Sequence, residues 1–153
     1  MESWNAIRSR VILLLQEYPE LKAKRQVIKH EWENPNLVSD DEMLSAMAYA
    51  RAIGGMPPST GHISDKTAHI AASYHENTRY QNQRQIEDLS DQLEQLDGKL
   101  YRLEYCVSQL PPDLSTLLQK LYFEKVPRKI LTEDLHMSES TLKRHLRTAI
   151  DKL

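Results

Sequence analysis

Eight apolar residues set the strongest constraint on how this chain folds. Ile86, Leu89, Leu93, Leu96, Leu100, Leu103, Val107 and Leu110 alternate steps of three and four without a break. That spacing draws one narrow stripe down an α-helix, the a and d positions of a heptad repeat. Such a stripe is buried by another helix laid along it. From residue 86 to residue 110 the helix would run about 37 Å, at roughly 1.5 Å per residue. Gly98 falls at the outermost position, where it weakens the helix and leaves the seam intact. The partner is either the same seam of a second copy, giving a homodimer, or a helix of the N-terminal half folded back. Pro111-Pro112 stops the helix.

The rest of the sequence points the same way, to an all-α fold. The 153 residues contain one Phe and four Gly, and few stretches alternate like strands. Trp4, Ile7, Val11, Leu14 and Tyr18 mark an amphipathic first helix, expected to end near Pro19. Glu20 to Glu33 reads as a second helix with Leu21, Ile28 and Trp32 on its apolar face. Asn34-Pro35-Asn36 is a loop. Ser39-Asp40-Asp41-Glu42 is a capping box, in which Ser39 and Glu42 satisfy each other's backbone N–H. A third helix follows through Met43, Leu44, Met47 and Ala50, with Gly54 placed to stop it. Three of the four glycines lie in Gly54–Gly61, a Gly/Pro linker. It is no phosphate loop, since no Gly-Lys-Ser/Thr follows it. Ser64 or Asp65 caps the long helix. The expected division is therefore 1–53, a linker at 54–63, a heptad helix at 64–110, and a C-terminal domain at 111–153.

That last domain carries the chemistry. Leu114, Leu117, Leu118 and Leu121 form the buried face of a helix from Asp113 to Glu124, broken by Pro127. Lys129–Leu153 then reads KILTEDLHMSESTLKRHLRTAIDKL. Ile130, Leu131 and Leu135 fall on one face of a short helix, and His136-Met137-Ser138 makes a turn. Ser138 caps a second helix by accepting from an otherwise unpaired N–H. Met137, Leu142, Ala149, Ile150 and Leu153 pack that helix back on the first. Glu139, Ser140, Lys143, Arg144 and Arg147 are left outward. A helix that buries one side and shows cations on the other suits a DNA major groove. Arg144 and Lys143 are the candidates for base edges, and Arg147 and Ser140 for bases or phosphates. Arg128, Lys129, Ser138 and Thr141 are placed to hold the backbone. Glu139 would repel phosphate, but it can accept from a cytosine amino group.

These residues resemble the fourth region of bacterial sigma factors, in which an acidic-apolar helix leads through a turn and a Ser to a basic helix. STLKRHLRTAIDKL also resembles the DNA-binding domain of LuxR-type regulators, His145 included. The turn position that is Gly in those families is His136 here, so a His must adopt a positive φ. The order of IGGMPPSTGHISDKTAHIA, a long central helix and this domain resembles small phage-encoded regulators of the ArpU and RinA kind. The resemblance implies a phage or prophage activator of late genes with double-stranded DNA as ligand and RNA polymerase as a candidate partner. A complete sigma factor is not implied, because no aromatic-rich DNA-melting segment is visible.

Charge agrees in sign. The chain is −2 overall, but residues 111–153 hold eight Lys/Arg against six Asp/Glu, whereas 64–110 hold five against eight. Cys106 is alone, so no disulfide framework exists. No run resembles a signal peptide or a membrane span, which leads to a cytoplasmic protein of a bacterial host. His62, His69 and His75 lack zinc-ligand spacing, and His145 reads as a packed histidine. Asp40, Asp41 and Glu42 suit a helix start and need no catalytic role. No cofactor, metal or enzymatic activity is expected. Two other classes fit the same pattern. One is a small terminase-like DNA-recognition subunit of phage packaging. The other is a helical adaptor that binds protein through the heptad seam.

Overall fold

A computed structural model of the chain describes residues 4–53 and 65–153. Among these the regular structure is entirely helical: α1 (Trp4–Glu33), α2 (Asp40–Ile53), α3 (Asp65–Ser108), α4 (Pro112–Leu118), α5 (Arg128–Asp134) and α6 (Glu139–Lys152). A π-helical turn, Gln119–Phe123, extends α4, where the sequence suggested one helix to Glu124. The Gly/Pro segment, the helix stop assigned to Gly54 and the cap assigned to Ser64 lie outside the described residues. Among the described residues no helix is long and apolar enough to cross a membrane.

Two compact units form. One is Met1–Ile28 with Leu93–Leu153, and the other is Lys29–Gln92. Their boundaries cut α1 and α3, whereas the sequence divisions fall at 53, 63 and 110. The first unit thus joins the two ends of the chain. Its core gathers Leu15 from α1, Val107 and Leu110 from α3 and its end, Leu117 and Leu118 from α4, and Leu142, Leu146 and Ala149 from α6. Two polar ties hold α1 along α3. The Tyr18 hydroxyl donates to Glu104 at 2.5 Å, and Arg25 pairs with Asp97. The ties lie one heptad apart on each helix and in opposite order, so α1 and α3 run antiparallel here.

Three expectations are corrected. Pro19 does not end a helix; it lies inside α1. Its ring removes one N–H and crowds the Leu15 carbonyl, but Leu15 and Tyr18 beside it are buried and fix the backbone on that side. The buried stripe of α1 is also rotated from the one drawn in sequence. Trp4, Ile7 and Leu14 are exposed, while Leu15 and Tyr18 are buried and Arg8, Val11 and Ile12 half-buried. Trp32 is exposed as well. The seam is covered within the chain, in keeping with the folded-back helix that the sequence leaves open as one of two partners: Leu96, Leu100, Val107 and Leu110 are buried and Leu93 and Leu103 half-buried within the first unit.

The second unit follows different signals. The capping box forms as read: Ser39 N–H donates to Glu42 at 2.9 Å and Glu42 N–H to the Ser39 hydroxyl at 3.2 Å. Those bonds hold the Glu42 carboxyl below its ordinary pKa. Met43 is buried, but Leu44 and Ala50 are exposed. Leu89 is buried and Ile86 exposed, because the stripe of α3 turns here onto polar residues, Thr78 (buried) and Asn82 (half-buried). The Asn82 amide pairs with both backbone groups of Val38, accepting from its N–H at 2.9 Å and donating to its carbonyl at 2.9 Å.

Candidate nucleic-acid interface

The C-terminal helices are built by local signals. Pro127 precedes α5 and its carbonyl accepts from Leu131 N–H at 3.1 Å, so α5 starts where a proline ring presets the backbone. At the far end, His136 N–H donates to Glu133 at 3.3 Å and Met137 N–H to Thr132 at 3.1 Å. That is a Schellman closure, and it requires a left-handed residue between them. His136 supplies it, with φ 50°. Ser138 then caps α6, accepting from Thr141 N–H at 3.2 Å. The Ser138 hydroxyl also lies 2.9 Å from those of Ser140 and Thr141. The cap is therefore a cluster of three hydroxyls at the N-terminus of α6.

Burial orients α6. Leu142 and Ala149 are fully buried and Leu146 nearly so, with Ile150 and Leu153 at the edge of the core. Leu146 joins the packing set assigned from sequence. Leu131 is fully buried on α5, but Ile130 is 46% exposed and does not share its face. At about 100° per residue, Arg144 points almost opposite the Leu142–Leu146 stripe. Glu139, Ser140, Lys143, Arg144 and Arg147 are all exposed, as are Arg128 and Lys129 at the start of α5. Thr141 is half-buried, and so is His145. Lys143 pairs with Glu139 at 3.0 Å, one turn away. That hydrogen bond and charge, with a smaller effect from Arg128, hold the Glu139 carboxyl below its ordinary pKa.

The cations are not spread evenly. Arg128, Lys143 and Arg147 line one cavity of about 260 Å³, and a fourth cation from a distant part of the sequence joins them, Arg8 of α1. Arg8 forms a two-point fork with Asp151, its Nη2 donating to Oδ2 at 2.8 Å and its Nε to Oδ1. Sequence reasoning placed no function on Arg8. It stands one residue off the stripe drawn through Ile7 and Val11, and no local pattern pairs it with α6. A larger cavity, about 690 Å³, lies in the second unit beside Met43, Met47, Tyr80 and Arg84, and none of the DNA-binding candidates lines it. None of the seam residues Ile86, Leu89, Leu93, Leu96, Leu100, Leu103, Val107 and Leu110 lines the basic cavity.

A helix with a fully apolar inner face, a hydroxyl-rich N-terminus and an outer face of Lys and Arg can enter a groove and donate to base edges and phosphates. No family model matches the chain, and neither a curated protein nor a solved structure does.

Proposed function

We propose that this chain is a sequence-specific DNA-binding regulator that inserts α6 into the major groove. The observation that carries the reading is the orientation of α6 on α5. The inner face of α6 is fixed by Leu142, Leu146 and Ala149, and its outer face presents Ser140, Lys143, Arg144 and Arg147 beyond a left-handed turn. Arg144, most nearly opposite the core, is the base reader. Arg128, Lys129 and the hydroxyl cap of α6 set the register on the backbone. The resemblance to ArpU- and RinA-type regulators adds a phage or prophage context in the cytoplasm of a bacterial host, late genes as targets and RNA polymerase as the second partner.

The test is retention of fragments of the source genome by the full-length chain at two salt concentrations, followed by affinity measurement on the retained site. Arg144→Ala should cost about 1–3 kcal/mol there and little on random DNA, as expected for a bidentate contact to guanine. An equal loss on both would move Arg144 from reading to positioning. Absence of retention at either salt would overturn DNA binding altogether.

A further inference from the structure

We propose that the N-terminal helix belongs to the DNA interface: Arg8, with Arg128, Lys143 and Arg147, forms a pocket for a backbone phosphate. This rests on the DNA-binding reading of α6 and adds a residue more than a hundred positions away in sequence. Four cationic side chains from three helices line the cavity of about 260 Å³, and Ile12, Tyr122, Leu146 and Ile150 complete its wall. A cleft lined by one sign of charge and backed by apolar atoms concentrates the field and favours an entering anion. Two of the four cations already have a carboxylate, Arg8 through Asp151 and Lys143 through Glu139. Arg128 and Arg147 carry the remaining positive charge. A phosphodiester oxygen is the ligand that matches this geometry on a surface beside a groove-entering helix.

Arg8 is suited to the role because its carboxylate partner leaves it donors to spare. A guanidinium has five N–H groups. The fork to Asp151 uses one on Nε and one on Nη2, leaving three. Asp151 thereby aims the guanidinium, and the Trp4 ring, 5.7 Å from its central carbon, covers one side. The same carboxylate opposes an incoming phosphate, so Asp151 moderates the site it orients. Arg8 is a phosphate ligand in this scheme and Asp151 a positioning residue.

The two roles predict opposite signs. DNA affinity and its salt dependence are measured for Arg8→Ala and Asp151→Asn in the full chain, each checked for helicity and melting temperature. Arg8→Ala should weaken binding about tenfold on specific and random DNA alike, with the log–log salt slope shallower by about one. Asp151→Asn keeps an oxygen for Nε–H and removes the negative charge, so it should tighten binding and steepen the slope. If both variants weaken binding together, Arg8 is only a tie between helices and the proposal is overturned. No effect of Arg8→Ala on affinity or slope overturns it too. Inorganic phosphate titrated into the wild-type chain separates the pocket from the reading it rests on. Saturable movement of the Arg8 Nε–H resonance, without any DNA retention, would keep an anion pocket and discard the DNA regulator. DNA retention with no response of that resonance to phosphate or to DNA would do the reverse.

Discussion

His136 shows how much one dihedral angle is worth in this fold. A non-glycine residue in the left-handed region costs about 1–2 kcal/mol, yet the turn between α5 and α6 cannot close without one, because two N–H groups must reach back to Thr132 and Glu133. His136→Gly should raise stability by about 0.5–1 kcal/mol, the relief of strain less the extra entropy of an unfolded glycine. His136→Val should lower it by about 1–2 kcal/mol, since a branched Cβ is worse at φ 50°. Thermal melts of the three proteins decide the order, and a Val variant as stable as the wild type would mean the turn is not under strain. Asp151 poses a related question one helix further on. A carboxylate in the last turn of α6 opposes the helix dipole, and the fork from Arg8 offsets that cost.

At the scale of the element, legibility followed how local the signal was. The capping box at Ser39, the Ser138 cap and the prolines before α4 and α5 act within a few residues, and all were readable from sequence. The seam was readable as a stripe, but its partner was not, since a heptad pattern is indifferent to whether a second copy or α1 covers it. The stripe of α1 keeps Tyr18 but departs from the sequence pattern elsewhere, because Trp4, Ile7 and Leu14 are apolar yet exposed, while Leu15 is buried and Arg8 turns inward through its polar tip. Asn82 gave no apolar signal at all, although it pins Val38 from both sides. Pro19 reads in sequence as a breaker, the usual effect of a proline. Its presence inside α1 therefore carries a prediction. A mid-helix proline costs about 3 kcal/mol relative to alanine, so Pro19→Ala should raise stability by about 1–3 kcal/mol, seen as a higher urea midpoint at unchanged slope. A lower midpoint would show that the half-buried ring contributes more by packing than it costs in the backbone.

At the scale of the whole molecule, the surface proposed to read DNA does not pack by itself. Leu15 of α1 lies in one core with Leu142 and Leu146 of α6, so the N-terminal helix sets the stability of the surface proposed to read DNA. Leu15→Ala should destabilise by about 2–5 kcal/mol and speed amide exchange at Leu142 and Leu146 as well as in α1. Faster exchange confined to α1 would mean that the two ends unfold separately. Tyr18 gives the same coupling a pH signature. Its ring stacks on Phe123 with centroids 3.7 Å apart, and its hydroxyl donates to Glu104 of α3. Burial, then the hydrogen bond and charge of Glu104, push the phenol up to about 12 from an ordinary 10.0. The folded chain thus keeps a proton that the unfolded chain loses. The stabilisation is whole below pH 10, falls as pH rises and is gone above about 12. Tyr18→Phe keeps the stacked ring and removes the titration, so the difference in stability between the two proteins should be constant up to pH 10 and shrink beyond it. A difference that stays constant to pH 12 would mean that the phenol meets water as freely in the folded chain as in the unfolded one, and that α1 does not close over Glu104.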